Sequence, residues 1–126
     1  SESAKLGGRQ PGLVKEIDKE AFDDLKKFKL NPINDWKESI SRETTYWLEF
    51  NPHDSGIEIS LDEKEKIKSE VLNEVFKYLD NQLIKSSFYI DGGFNAYFTP
   101  WGDQMNSDIV CCSKDRIFIF HAGWSS

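Results

Sequence analysis

From residue 60 to residue 85, apolar side chains recur at spacings of three and four: Ile67, Val71, Leu72, Val75, Phe76, Leu79 and Leu83. That period predicts a helix with one apolar stripe. Lys64, Lys66, Lys68, Glu70, Glu74 and Lys77 fall mainly on its wet faces. Ser60 stands in the capping position and Glu63, three residues on, completes a capping box. Asp62, Glu63 and Glu65 place negative charge in the first turn, where the helix dipole favours it.

The same reading along the rest of the chain predicts shorter elements. Ile17, Ala21, Phe22, Leu25 and Phe28 have helical spacing, so residues 15–30 are expected to form an amphipathic helix ended by Asn31-Pro32. Asn34 or Asp35 can cap a short helix containing Trp36 and Ile40. Residues 43–50 alternate, with Tyr46, Leu48 and Phe50 on one side and Thr45, Trp47 and Glu49 on the other, which predicts a strand. Asn51, Pro52, Asp54 and Gly56 make a loop, and Ile57 and Ile59 flank Glu58 in a returning strand, so residues 43–60 are expected to be a hairpin. Beyond the long helix, residues 87–90 and 94–99 read as strands joined by Asp91-Gly92-Gly93. Residues 99–106 read as a loop, and residues 108–112 and 116–121 as a second hairpin.

The expected order is therefore α-β-β-α-β-β-β-β. Tight turns between consecutive strands imply an antiparallel sheet, here of about five or six strands with two main helices, an α+β fold. Residues 1–14, with Gly7, Gly8, Pro11 and Gly12, read as a flexible tail, and residues 15–126 as a single domain. In the last strand both the Phe118/Phe120 face and the Ile117/Ile119 face are apolar, which points to a central strand covered on both sides or to one face meeting a partner.

Composition narrows the function classes. No apolar run reaches the length of a membrane span and the N-terminus has no signal-like apolar stretch, so a cytoplasmic protein is expected. The net charge is −6, and the acidic excess lies in residues 16–85, with 17 acids against 11 bases. Such a surface repels phosphate backbones and attracts basic partners, which disfavours direct nucleic-acid binding.

Chemistry-bearing residues are few. Cys111 and Cys112 are adjacent in an apolar strand, so they point to opposite faces and read as structural rather than nucleophilic. No second cysteine pair is present for a zinc site, and there is no calcium-loop or phosphate-loop pattern, so no metal and no cofactor is expected. His53 and His121, together or with a cysteine, are the residues an acid–base or hydrolytic reaction would use. Their spacing carries no catalytic signature.

The remaining feature is an aromatic and acidic region built from Asp91, Phe94, Tyr97, Trp101, Asp103, Asp108 and Trp124, near turns and strand ends. Aromatic anchors ringed by polar groups are what protein interfaces use. The acids are expected to be solvated and Trp101 to act as the anchor.

In size, acidity and α+β layout the chain resembles the small acidic immunity proteins of bacterial toxin–immunity pairs, including those of contact-dependent growth inhibition. The resemblance implies a non-enzymatic protein that binds a cognate toxin, often a basic nuclease, and blocks its active site or another essential surface. A small hydrolase or RNase-like enzyme using His121 with His53 or a cysteine, and an adaptor or regulatory subunit, are the alternative readings.

Overall fold

The computed structural model of the chain describes residues 6–51, 58–91 and 105–125. Among them lie five strands and three helices. The order is β1 (Arg9–Ile17), α1 (Lys19–Leu25), β2 (Lys29–Pro32), α2 (Trp36–Glu49), α3 (Leu61–Asp80), β3 (Ser86–Asp91), β4 (Met105–Cys112) and β5 (Ile117–Trp124). The strands form one antiparallel sheet in the order β1-β5-β4-β3-β2. The fold is α+β.

Strand β5 lies between β1 and β4, and its alternation builds two cores. Phe118, Phe120 and Ala122 pack with Ile109 and Cys111 of β4 beneath Ile40 and Trp47 of α2 and Val75 and Leu79 of α3. Ile119 packs on the opposite face with Val110, Ile17 and Leu25 of α1, and Ile117 adds its half-buried side chain there. Near-continuous apolar sequence in β5 is thus explained by cover on both sides. Each fully buried side chain of this kind is sensitive: truncating Leu79 to alanine should cost about 2–5 kcal/mol.

Helix α3 starts where its cap predicts. The Ser60 hydroxyl accepts a hydrogen bond from the Glu63 amide at 3.2 Å. Its end comes earlier than the apolar stripe suggested. The helix closes at Asp80, and Leu83 adopts φ +56° with its side chain 74% exposed. Leu83 therefore lies outside the stripe. Across the helix pair, Trp36 meets Phe76 edge-on at 6.0 Å. The Lys37–Asp80 ion pair at 2.8 Å is half-exposed, and such pairs contribute at most about 1 kcal/mol.

Three predicted elements are corrected. Residues 15–30 are not one helix. Arg9–Ile17 is a strand, Asp18 caps the seven-residue α1 by accepting from the Ala21 amide at 2.8 Å, and Lys29–Pro32 is an edge strand on β3. Pairing with β5 takes the first turn of the predicted helix away, because a long ladder of backbone hydrogen bonds outweighs weak helical propensity. Residues 43–50 are the second half of α2 rather than a strand. Ile40, Thr44, Trp47 and Leu48 are buried at helical spacing, and Asp35 caps the helix by accepting from the Glu38 amide at 3.1 Å. The predicted 43–60 hairpin therefore has no first strand. Residue 57, and the predicted strand over 94–99, lie outside the described residues.

The tail assignment is corrected as well. Residues 9–14 belong to β1, and Arg9 is buried, donating through its guanidinium to the carbonyls of Phe50 and Leu6. The strand carries a register shift between Gln10 and Leu13, at Pro11-Gly12. A proline is tolerated there because β1 is an edge strand. Glycine is required by closeness: a Cβ on Gly12 would stand 2.7 Å from the Phe120 ring. At the other terminus, residues 122–124 continue β5 instead of leaving it.

Candidate functional site

Of the seven residues expected to form the partner surface, Asp91, Asp108 and Trp124 are among the described residues. Phe94, Tyr97, Trp101 and Asp103 lie outside the described residues. Asp91 ends β3, opposite Lys29 of β2. Trp124 ends β5, opposite Met105 of β4. Asp108 is not a solvated loop acid. It sits inside β4 and is 3% exposed. The alternation of β4 places it on the sheet face away from α2 and α3, where a polar partner in β5 receives it.

That partner is His121. Its Nδ1 lies 2.7 Å from Asp108 Oδ1, and both side chains are buried. The other carboxylate oxygen, Oδ2, accepts from Asn106 Nδ2. Asn106 Oδ1 is buried with no hydrogen-bond partner among the described residues. The three residues make a polar unit in an otherwise apolar face, set by the Asp108–His121 register of the β4–β5 ladder.

The cysteines do not join it. Cys111 points to the α2/α3 face, away from His121, and burial pushes its thiol up to about 12. Cys112 shares the His121 face but pairs with Ile117, four positions along β5. Burial raises its thiol too. Both stay protonated near neutral pH, the poorly nucleophilic form. His53 lies outside the described residues.

On the helix side of the same sheet end, a cluster of rings gathers around Trp124. The C-terminal turn of α2 gathers Tyr46 and Trp47 around Phe50, which lies four residues beyond the first and three beyond the second on the helix. Tyr46 meets Trp47 edge-on at 4.9 Å, Trp47 meets Phe50 at 5.0 Å, and Phe50 meets Trp124 at 5.7 Å. Trp47 anchors the cluster from below, its indole N–H donating to Ser107 Oγ at 2.9 Å. The Trp124 indole donates to the Gly7 carbonyl at 3.1 Å. Tyr46 is 51% and Met105 46% exposed, so the cluster reaches the surface. Sequence reasoning missed Tyr46, Phe50 and Met105. Reading residues 36–50 at helical rather than alternating period would have placed the first two beside Trp47.

A separate cleft of about 450 Å³ lies between α1 and the β4–β5 turn. Four of its eight charged side chains are paired with each other. Arg116 holds Glu16 through two contacts of 2.6 and 2.8 Å and donates to Gln82, and Lys26 pairs with Asp23 at 3.2 Å. Among the described residues no group of three or more histidine, cysteine or acidic side chains is placed to hold a metal ion. Also among them, no helix is long and apolar enough to cross a membrane.

The chain matches no protein-family model, no curated protein sequence and no solved structure, so its functional reading rests on its own residues.

Proposed function

We propose that this protein is a non-enzymatic, protein-binding domain that neutralises a cognate basic toxin by covering its active site or another essential surface, in the manner of the immunity proteins it resembles. The observation that carries the reading is the surface-reaching aromatic cluster of Tyr46, Phe50 and Trp124 with Met105 beside it. Exposed rings held rigid from beneath give large contact area at little cost in ordering, the property of interface anchors. The net charge of −6 supports a basic partner, since it speeds that encounter. Two unpaired cysteines fit action in a reducing cytoplasm.

The test is to co-express the tagged full chain with the polypeptide encoded beside its gene. A stoichiometric complex, together with growth restored against that polypeptide's toxicity, is the expected result. Persisting growth arrest with both proteins present and folded would overturn the reading.

The Asp108–His121 contact favours a second reading, acid–base catalysis, because a buried carboxylate on Nδ1 is how enzymes orient a working imidazole. The two readings separate on His121→Gln. A binding domain that stays folded keeps its partner, whereas a catalyst loses turnover.

A further inference from the structure

We infer that the outer strip of α2 made by Glu43, Tyr46, Glu49 and Phe50 seats an arginine side chain from a basic protein partner. This deepens the protein-binding reading above and rests on it. The first observation is spacing. Glu43 and Glu49 stand three residues either side of Tyr46, and Phe50 stands four beyond it, so two carboxylates flank an exposed ring on one helix face. Among the described residues neither glutamate forms an ion pair.

The second observation concerns rings elsewhere in the chain. Lys26 stands over Phe22 at 5.1 Å, Lys37 over Trp36 and Phe76 at 5.5 and 5.7 Å, and Arg116 over Phe118 at 5.3 Å. Each of those faces is occupied by a cation of the chain itself. Among the described residues, no cation stands over a ring of the Tyr46–Trp47–Phe50–Trp124 cluster. Among those residues, the quadrupole that attracts cations is left open there.

The third is the field around the strip. The last turn of α2 contains no basic residue, so the negative end of its dipole adds to the two carboxylates. Two cations of the chain lie near, one of them, Arg42, within the field of Glu43, and both have their guanidinium groups engaged elsewhere. Arg42, four residues before Tyr46, donates to the Tyr89 hydroxyl at 2.8 Å. Arg9 is buried beneath and spends its guanidinium on backbone carbonyls. Arginine suits the seat better than lysine, because a planar guanidinium stacks on a ring while its N–H groups reach carboxylates at the edge.

The test uses the ¹⁵N-labelled full chain titrated with a capped heptapeptide alternating glycine and arginine, and with its lysine counterpart. The expected result is saturable shifts centred on Tyr46, Phe50 and the indoles of Trp47 and Trp124, with the lysine peptide binding more weakly. Tyr46→Ala should weaken the arginine peptide about threefold and Tyr46→Phe should not. Glu43→Gln with Glu49→Gln should weaken it at low salt and cease to matter as salt rises. Shifts centred on the acids of α3 or on the α1 cleft, absence of saturation, or parental affinity in Tyr46→Ala would overturn the inference. A toxin complex that forms without this strip leaves the protein-binding reading standing and removes this seat. An arginine peptide that binds here when no protein partner does has the opposite consequence.

Discussion

Asp108 and His121 stand directly opposite each other on β4 and β5, with Nδ1 2.7 Å from Oδ1 and both side chains at most 3% exposed. A polar pair is thereby sealed into a sheet face whose other buried residues are apolar. Removing one partner should break the hydrogen bond between them and leave a gap in a closed-off part of the sheet. Asp108→Ala is expected to lower stability by about 1–3 kcal/mol, whereas replacing both residues with apolar side chains of similar volume should recover most of that. Urea denaturation of the two variants checks this. Equal loss in both would show that the pair is not the seat of the cost.

Cys111 should be protected and Cys112 sluggish towards alkylation. The Cys111 thiol is pushed up to about 12 by burial, and that of Cys112 is raised for the same reason. Iodoacetamide at mildly alkaline pH should label Cys111 only after unfolding, read by mass spectrometry. The sign of the pH effect follows. The folded state favours the protonated thiol, so this contribution to stability is intact below the ordinary thiol pKa of about 8.5 and is lost as pH climbs towards 12. Rapid labelling of folded Cys111 would contradict the burial argument.

Helix α3 depends on a local cap. Ser60→Ala removes the hydroxyl that accepts from the Glu63 amide and should cost about 0.5–2 kcal/mol, seen as a lower denaturation midpoint with an unchanged slope. Ser60→Asp should keep the stability, since aspartate caps as well and carries the charge the dipole favours.

The Glu16–Arg116 fork should make stability fall in acid. The hydrogen bond from Arg116 holds the Glu16 carboxyl below the usual range. A depressed folded pKa contributes stability above the unfolded value, about 4.3, and loses it as pH falls through the folded value. The fork is exposed, so salt should weaken the effect. Comparing parent and Glu16→Gln by denaturation at pH 7 and pH 3 tests it, because the variant should lack this share of the acid sensitivity.

What the sequence by itself determined was whatever depended on near neighbours. The cap and stripe of α3 were legible from Ser60 to Leu79 because capping and helical periodicity are local. The β4–β5 hairpin and the two apolar faces of β5 were legible because alternation is local too. The antiparallel α+β class followed from tight turns between strands. Tertiary structure decided the rest. Ile17, Ala21, Phe22 and Leu25 fit a helical period, yet Ile17 pairs with Ile117, a hundred residues away, and Asp18 starts a new element. Residues 43–50 fit an alternating pattern and a helical one equally. Burial against β1, β4 and β5 selected the helix and so assembled Tyr46, Trp47, Phe50 and Trp124. Asp108 and His121 met only through the strand register. Short apolar runs carry either period, and the contacts that choose between them come from segments distant in the chain.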